Sequence, residues 1–355
     1  MWVIWAVAGI GLITFILVDA FETVVLPRRV TRPVRLARFL YWLVWRPWSA
    51  IGRRMRNPQG FLAYYGPLSL IMLIVFWAIG LVTGFALLHK AAEAGADPAG
   101  SIWHYLYFSG TAFFTLGTTP PATPLDRFLT VAEGATGFSF LALVISYLPV
   151  FYQAFSERES QITLLDARAG SPPCAVEFLR RHCKNGRPEN LERFFVDWER
   201  WSGQLLESHL SYPILGLFRS QHENESWLTA LTMVLDVSAL VMATFDEPFA
   251  HGASLTFALS RHAAVDLSQV YNTPPKALTD DRLLQVGLEQ VRDILGGTAT
   301  LSEDKLAGLR ALYEPYVNAL SDLLVMPLPA WTTRDPVPDN WQTTAWGDFD
   351  GVTLD

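Results

Sequence analysis

The chain has 355 residues, of which 51% are hydrophobic and 17% are charged, whereas soluble domains are typically about 45–50% apolar and about 25% charged. This composition excludes a disordered chain and a secreted disulfide-rich one, and it predicts a membrane protein with a soluble part. Residues 1–156 hold 11 Lys and Arg against 6 Asp and Glu, and residues 157–355 hold 16 against 28. A basic apolar half followed by an acidic half predicts a membrane domain and an aqueous domain, with no nucleic-acid partner.

Three segments are apolar over the roughly 20 residues that a helix needs to cross a bilayer. They are Trp2 to about Leu26, Gly66–Leu88 and about Phe128–Phe151. Nine arginines and no acidic residue lie between the first two spans, so the positive-inside rule places that connection in the cytoplasm. We therefore expect a multi-pass protein of the cell's inner (plasma) membrane, with the N-terminus outside and everything after about Ser156 inside.

The first span, in a predicted segment of residues 1–27, carries Asp19 and Glu22 on one helical face. We expect these acids to pair with arginines near the inner interface, and a sensing role for the helix is the alternative. The arginines in reach are Arg28, Arg29 and Arg32.

The arginine-rich connection, residues 28–60, alternates arginines with large apolar side chains. This pattern predicts an interfacial helix on the inner leaflet, with arginines over anionic headgroups and tryptophans at headgroup depth. Such a helix is either a topology anchor alone or a lever that moves the neighbouring span when lipid conditions change. The residues expected at the lipid interface are Arg28, Arg29, Arg35, Arg38, Trp42, Trp45 and Arg46.

Between the second and third spans lies an apolar, aromatic segment, Ser101–Pro121, with the sequence SIWHYLYFSGTAFFTLGTTPP. Residues 102–114 are predicted to form a short helix, and the Thr- and Gly-rich residues 115–119 to be extended. Pro120 and Pro121 cannot continue a helix. A half-helix followed by extended backbone between two spans predicts a re-entrant loop, because non-helical backbone at membrane depth must be buried in protein or line water.

The order of these features resembles the pore module of the potassium-channel superfamily, specifically the two-helix ion channel family. Thr115-Leu116-Gly117 matches the start of the family's filter, and Thr118-Thr119-Pro120 stands where the family has Tyr-Gly-Asp. Arg127-Phe128-Leu129 occupies the place of the family's G-R-L-F run, with Glu133 six residues and Gly137 ten residues after the Arg. We assign residues 61–156 to this module.

The resemblance implies a homotetramer around one axis, in which filter carbonyls replace the hydration shell of a permeant ion. It assigns the selectivity filter to Thr115, Leu116, Gly117, Thr118 and Thr119. Thr119 replaces a glycine and Pro120 lacks a backbone N–H, so the upper filter is expected to differ from the family's. The expected function is an ion channel that passes monovalent cations, K⁺ or Na⁺, with weak or altered K⁺ selectivity and without a cofactor or enzymatic activity. The alternative is a non-conducting membrane sensor or scaffold.

Several residues around the predicted filter have two interpretations. Glu133 is either a buried carboxyl bonded to pore-loop backbone or Thr hydroxyls, or a group whose protonation tunes permeation or gating. Asp126, placed at the outer mouth with Pro120, either attracts cations or caps the inner helix. Gly137 is either a gating hinge or a packing glycine. Leu141, Ile145 and Pro149 share its face, and they either line the inner pore or pack against the second span.

Residues 157–326 show helical patterns without alternating strand runs, which predicts a cytoplasmic helical bundle in an all-α protein. Trp227–Phe245 is nearly long enough to span a membrane, but Asp236 and its acidic flanks predict a central buried helix instead. We find no nucleotide, metal or catalytic motif, so the ligand or protein partner of this domain stays open. Residues 327–355 are predicted to be an extended tail, and Cys174 and Cys183 to be reduced thiols. The other predicted helices are 174–184, 188–209, 248–271, 279–295 and 302–325.

Overall fold

The computed structural model is all-α apart from two short β-ladders in the part of the chain that it describes. The described residues are 2–26, 36–93, 101–117, 120–121, 123–184, 187–188, 191–220, 225–246, 249–277, 282–283, 285–296, 299–332, 343–344 and 347–348. The α-helices are α1 Trp2–Val24, α2 Leu36–Gly52, α3 Pro58–Ala63, α4 Tyr65–Ala92, α5 Ile102–Phe113, α6 Pro124–Ala169, α7 Ala175–His182, α8 Leu191–Ser211, α9 Trp227–Thr244, α10 Phe249–Val270, α11 Gln285–Leu295, α12 Glu303–Ala311 and α13 Glu314–Leu324. A 3₁₀ helix covers Pro213–Leu217, and the two-residue strands are β1 Cys183–Lys184, β2 Arg187–Pro188, β3 Thr343–Thr344 and β4 Gly347–Asp348, paired β1 with β2 and β3 with β4.

The chain divides into two compact units. The first unit comprises Met1–Ile51 and Gly60–Gln153, and the second comprises Gly52–Gln59 and Ala154–Asp355. Within the described residues, α1, the run α3–α4, α6 and α9 are long and apolar enough to cross a membrane. The first three expose most of their apolar stretch, whereas α9 is almost entirely enclosed by protein.

In the first unit, α1 packs closely against α4 through small residues. A Cβ placed on Gly9 would lie 2.7 Å from the Gly84 carbonyl oxygen, and one on Gly80 would lie 2.8 Å from Cδ1 of Ile16. Close backbone approach through glycines is how apolar helices gain van der Waals contact in a lipid environment, where burial of apolar area drives little association. The core of this contact includes Ile16 and Trp77.

Helix α6 is longer than the predicted third span. It runs without interruption from Pro124 to Ala169, including Pro149, so the predicted boundary between residues 156 and 157 lies inside one helix. The helix ends at Gly170, whose φ of 85° is readily adopted by glycine and whose N–H donates to the Asp166 carbonyl at 2.8 Å. No residue between Pro149 and Gly170 is a strong helix breaker.

In the second unit, α9 is the central helix, as predicted. All of its residues are buried except Met242 and Thr244. Its Asp236 accepts two hydrogen bonds of 2.8 Å from Arg282, which also donates to Glu314 at 2.9 Å. A buried carboxylate is tolerated because it is paired in this way.

Three predictions for the second unit need correction. The predicted helix 302–325 is two helices, because Pro315 lacks the N–H that a continuous helix would need. The predicted tail begins as packed structure: Trp331 is buried, its carbonyl accepts from the Val176 N–H at 3.1 Å, and the Pro327 carbonyl accepts from the Thr229 hydroxyl at 3.0 Å. In the predicted helix 279–295, only Gln285–Leu295 is helical, and residues 279–281 and 284 lie outside the described residues.

The second unit also includes the segment Gly52–Gln59 that connects α2 to α3. The Arg53 guanidinium donates to the Asp322 carbonyl, and the Gln59 amide donates to the Val325 carbonyl at 3.0 Å. Both acceptors lie at the end of α13. These two bonds join the segment to the C-terminal end of α13.

Candidate pore loop and buried carboxylate–histidine cluster

Helix α5 is the short helix that the sequence predicts between two apolar helices. It begins at Ser101, whose hydroxyl accepts from the Trp103 N–H at 3.4 Å, and it ends after 12 residues. At its C-terminus the Leu116 N–H donates to the Thr111 carbonyl at 2.7 Å and the Thr115 N–H to the Ala112 carbonyl at 3.0 Å. These two bonds form a Schellman motif.

The Schellman motif changes the expected geometry of the predicted filter. Thr115, expected to begin an extended strand, turns the chain with a φ of 57°, a conformation that is costly for a β-branched residue. Gly117 has a φ of 60°, and a Cβ on it would meet no atom within 4 Å. Leu116 is 68% exposed and Pro120 is also exposed, whereas Thr118 and Thr119 lie outside the described residues.

Helix α6 contacts the C-terminal end of α5 at Gly137. A Cβ at this position would lie only 2.0 Å from the Phe113 carbonyl oxygen, whereas one at Gly134 would lie 3.6 Å from the Ala112 carbonyl oxygen. Glycine at position 137 is thus required by the close approach of the two helices, which is the packing interpretation. Since α6 is continuous through this position, a hinge role stays a prediction.

The face of α6 below Gly137 is open in the single chain. Leu141 is 55% exposed and Ile145 is 63% exposed, and Pro149 is exposed as well. Within this chain these residues therefore do not pack against the second span, and both interpretations of the face stay predictions. The face is free to line a pore or to contact lipid or another copy of the chain.

Behind the loop, four polar side chains from three helices form a fully buried cluster: Ser109 of α5, His89 of α4, and Asp126 and Glu133 of α6. The His89 Nε2 atom lies 3.0 Å from Glu133 Oε2, and Nδ1 makes a short hydrogen bond with Asp126 Oδ1. The Ser109 hydroxyl makes a short hydrogen bond with Glu133 Oε1 and lies 2.7 Å from the Val82 carbonyl oxygen. The cluster joins the three helices α4, α5 and α6.

The cluster revises the expectations for both acids. Glu133 is buried as predicted, but its partners are a serine and a histidine instead of pore-loop backbone or threonines. Asp126, placed by prediction at the outer mouth, is fully buried on His89, and Thr123 accepts its N–H at 3.1 Å in the capping position. The sequence analysis missed His89. Its position directly after the uncharged second span could have marked it as a candidate partner for a buried acid.

Asp19 has a partner within the apolar core of the first unit. It is buried and accepts a hydrogen bond of 2.9 Å from the Trp77 indole N–H. This hydrogen bond connects α1 to α4 within an interface that is formed largely by apolar side chains. The arginines that were expected to pair with Asp19 lie outside the described residues.

The predicted interfacial helix is present as α2, but one of its tryptophans is not at the surface. Trp45 is 2% exposed and packs edge-to-face on Tyr65 with ring centroids 4.8 Å apart, because the Tyr65 hydroxyl binds the Tyr41 carbonyl and brings α4 against α2. Trp42 is partly exposed and Arg46 is exposed. Arg28, Arg29, Arg35 and the side chain of Arg38 lie outside the described residues.

The second unit contains a carboxyl pair of its own. Burial, followed by a hydrogen bond with Asp166, raises the pKa of Glu225 to about 9. Burial likewise raises the pKa of Cys183 to about 11, which makes this thiol a weak nucleophile at neutral pH. Among the described residues, no group of three or more His, Cys, Asp or Glu side chains is arranged to hold a metal ion.

The comparisons with known proteins do not assign the chain to a family. No family model matches the chain, and no solved structure matches it. The chain is 24% identical over 254 residues to the uncharacterized membrane protein YdjJ of Bacillus subtilis strain 168, a match that covers 69% of this chain and 71% of the relative. Together with the apolar helices, this similarity supports a membrane protein.

Proposed function

We propose that the chain is the subunit of a cation channel with potassium-channel-like architecture, which passes K⁺ or Na⁺ passively and with weak or altered K⁺ selectivity. The observation that carries the proposal is α5. At 12 residues it is about 18 Å long, too short to cross a hydrocarbon core of about 30 Å, and its C-terminal end abuts α6 at Gly137. A half-helix held in this way presents a partial negative charge that favours a nearby cation.

In this proposal α1, α4 and α6 are the three spans and the segment after α5 is the re-entrant pore loop. The N-terminus is outside and the helical bundle is in the cytoplasm, as the arginine distribution predicts. The protein lies in the inner membrane as a homotetramer, with the open face of α6 at Leu141 and Ile145 turned to the axis. Conduction needs no cofactor and no covalent chemistry.

The turn at Thr115 favours weak selectivity. A filter that selects K⁺ needs several successive carbonyl rings, and here the first filter residue takes part in the cap of α5. Gly117 then has the left-handed φ that glycine supplies at little cost. The same turn is the observation that favours the alternative function, a sensor or scaffold that keeps the pore fold without conducting and signals through its helical bundle.

The test is ion flux into liposomes that contain the purified full-length protein, under separate K⁺, Na⁺ and Cl⁻ gradients. Gly117→Ala, which places a Cβ on a residue with positive φ, is expected to reduce cation flux severalfold. Gly11→Ala is the matched control, because a Cβ there would meet no atom within 4 Å. Cation flux that is absent, or that is insensitive to Gly117→Ala, contradicts the channel and favours the scaffold.

A further inference from the structure

The Ser109 hydroxyl lies between two oxygen atoms, the Val82 carbonyl oxygen and Oε1 of Glu133. On one side, 2.7 Å away, is the Val82 carbonyl oxygen, which can only accept. On the other side is Glu133 Oε1, at short hydrogen-bond distance. A serine hydroxyl carries a single hydrogen, so it cannot donate to both oxygens.

We propose that Glu133 is a proton-binding site: it carries a proton that it donates to Ser109, while Ser109 donates to the Val82 carbonyl. With an ionised Glu133, one of the two short oxygen–oxygen contacts of Ser109 would contain no hydrogen. Two facing oxygen atoms without a shared hydrogen repel each other, and this cost is largest where water is excluded. Glu133 and Ser109 are both fully buried.

The remaining contacts are consistent with this proton. If Glu133 Oε1 carries the hydrogen, Oε2 is the carbonyl oxygen and accepts from His89 Nε2–H at 3.0 Å. The Nδ1 atom then bonds Asp126, either as an imidazolium beside a carboxylate or as a neutral ring beside a carboxylic acid. Both arrangements hold the same number of protons, and both make the Asp126–His89–Glu133 group electrically neutral.

Burial favours an electrically neutral Asp126–His89–Glu133 group. With both carboxyls ionised, a single imidazolium would leave one net negative charge in the fully buried group, and an uncompensated buried charge is costly. One other titratable group, Glu93 after α4, acts on Asp126 and His89 of the cluster, and Glu93 in turn interacts with His104 and is bonded to Tyr105. The Lys90 ammonium lies against the Tyr105 ring at 5.9 Å.

The proton links the positions of three helices. When Glu133 loses it, the Ser109 hydroxyl must turn to the carboxylate and give up the Val82 carbonyl, so α5 loses its hydrogen bond to α4. This consequence rests on the proposed function: the pore helix of a channel would loosen as the proton leaves, and cation flux would depend on pH through Glu133. The location of the proton itself does not depend on conduction.

Infrared spectroscopy of the full-length protein at neutral pH tests whether the proton is on Glu133. A protonated carboxyl has a C=O stretching band that a carboxylate lacks, and we expect one such band to be lost in Glu133→Gln. Glutamine reproduces the protonated acid, since its amide can donate to Ser109 and its oxygen can accept from His89. The variant is therefore expected to fold and to keep the thermal stability of the wild type. Glu22→Gln, on α1, is the matched control and should keep the band.

Ser109→Ala provides a second infrared test of the proton on Glu133, one that does not depend on the Glu133→Gln variant. It should shift the band without removing it, because the acid loses its hydrogen-bond acceptor and keeps its proton. A wild-type protein with no band sensitive to Glu133→Gln would overturn the inference. If the band is lost as expected but cation flux is absent in every variant, the proton site stands and the channel proposal fails.

Discussion

Replacing Gly137 by alanine tests how closely α6 must approach the end of α5. The added Cβ would lie 2.0 Å from the Phe113 carbonyl oxygen and 2.9 Å from its carbonyl carbon. Real Cβ atoms essentially never come nearer than 3.0 Å to such atoms, so the two helices must separate by about 1 Å locally. The atoms in the way belong to backbone and cannot rotate aside.

The magnitude follows from the cost of overpacking, which is about 1–3 kcal/mol for an added methyl group in a tightly packed site. Alanine also improves helix propensity by about 1 kcal/mol over glycine, and this gain would mask part of the cost. Gly134→Ala removes the ambiguity, because it lies on the same helix, has the same propensity gain and would make only an ordinary 3.6 Å contact with the Ala112 carbonyl.

We therefore expect Gly137→Ala to be about 1–3 kcal/mol less stable than Gly134→Ala, which corresponds to a melting temperature lower by about 2–12 °C for a unit of this size. Thermal unfolding of both variants in the same detergent measures the difference. Equal stabilities would refute the packing argument and leave the hinge interpretation as the explanation for glycine at this position.

Three further changes are expected to have defined effects. Thr115→Gly should stabilise the first unit by about 1 kcal/mol in thermal unfolding, because glycine adopts the left-handed conformation without the penalty that a side chain brings. Arg282→Met should destabilise the second unit by about 3–5 kcal/mol in urea unfolding, since it leaves the buried Asp236 carboxylate without its bidentate partner. Glu225 holds its proton more strongly in the folded state, with a pKa of about 9, so stability should fall as pH rises from about 5 towards 9, and Glu225→Gln should flatten that dependence.

Each of these three predictions would be contradicted by a specific result. A Thr115→Gly variant less stable than wild type would show that the threonine side chain contributes more than its backbone conformation costs. An Arg282→Met variant as stable as wild type would mean that the buried network is dispensable. A pH profile unchanged by Glu225→Gln would contradict the assignment of this pH dependence to Glu225.

The helical bundle is the part of the fold that sequence patterns predict best. The segment around Asp236 is apolar enough to span a membrane, yet its central acid and acidic flanks indicated a buried helix, and α9 is enclosed by protein. Local sequence rules were sufficient to predict this buried helix, because its hydrophobic content and its flanking charges can both be read from the segment alone. The prediction failed at Pro315, where a proline two residues into a new helix looked like the interior of a longer one.

The buried cluster around Glu133 was predicted less completely, because it forms only where α4, α5 and α6 contact each other. Gly137, Glu133 and the short helix α5 could be found from their order along the chain. The pairing of His89 with both Asp126 and Glu133 brings together residues 37 and 44 positions apart, and no local pattern specifies it. Trp45 was placed at the lipid surface for the same reason, since its burial depends on Tyr65 from a later helix.

The enclosure of α9 has a consequence for how the protein is made. The segment that forms α9 is 18 residues long and, by hydropathy alone, apolar enough to cross a membrane when it leaves the ribosome. Its partner Arg282 follows 46 residues after Asp236, about 2–9 s later at ordinary translation rates. Until then the Asp236 carboxylate lacks this partner, and a carboxylate at the centre of an inserting helix costs about 2.5–3.5 kcal/mol, which opposes insertion of α9. The same side chain therefore opposes membrane insertion of the nascent segment and later binds Arg282 in the finished bundle.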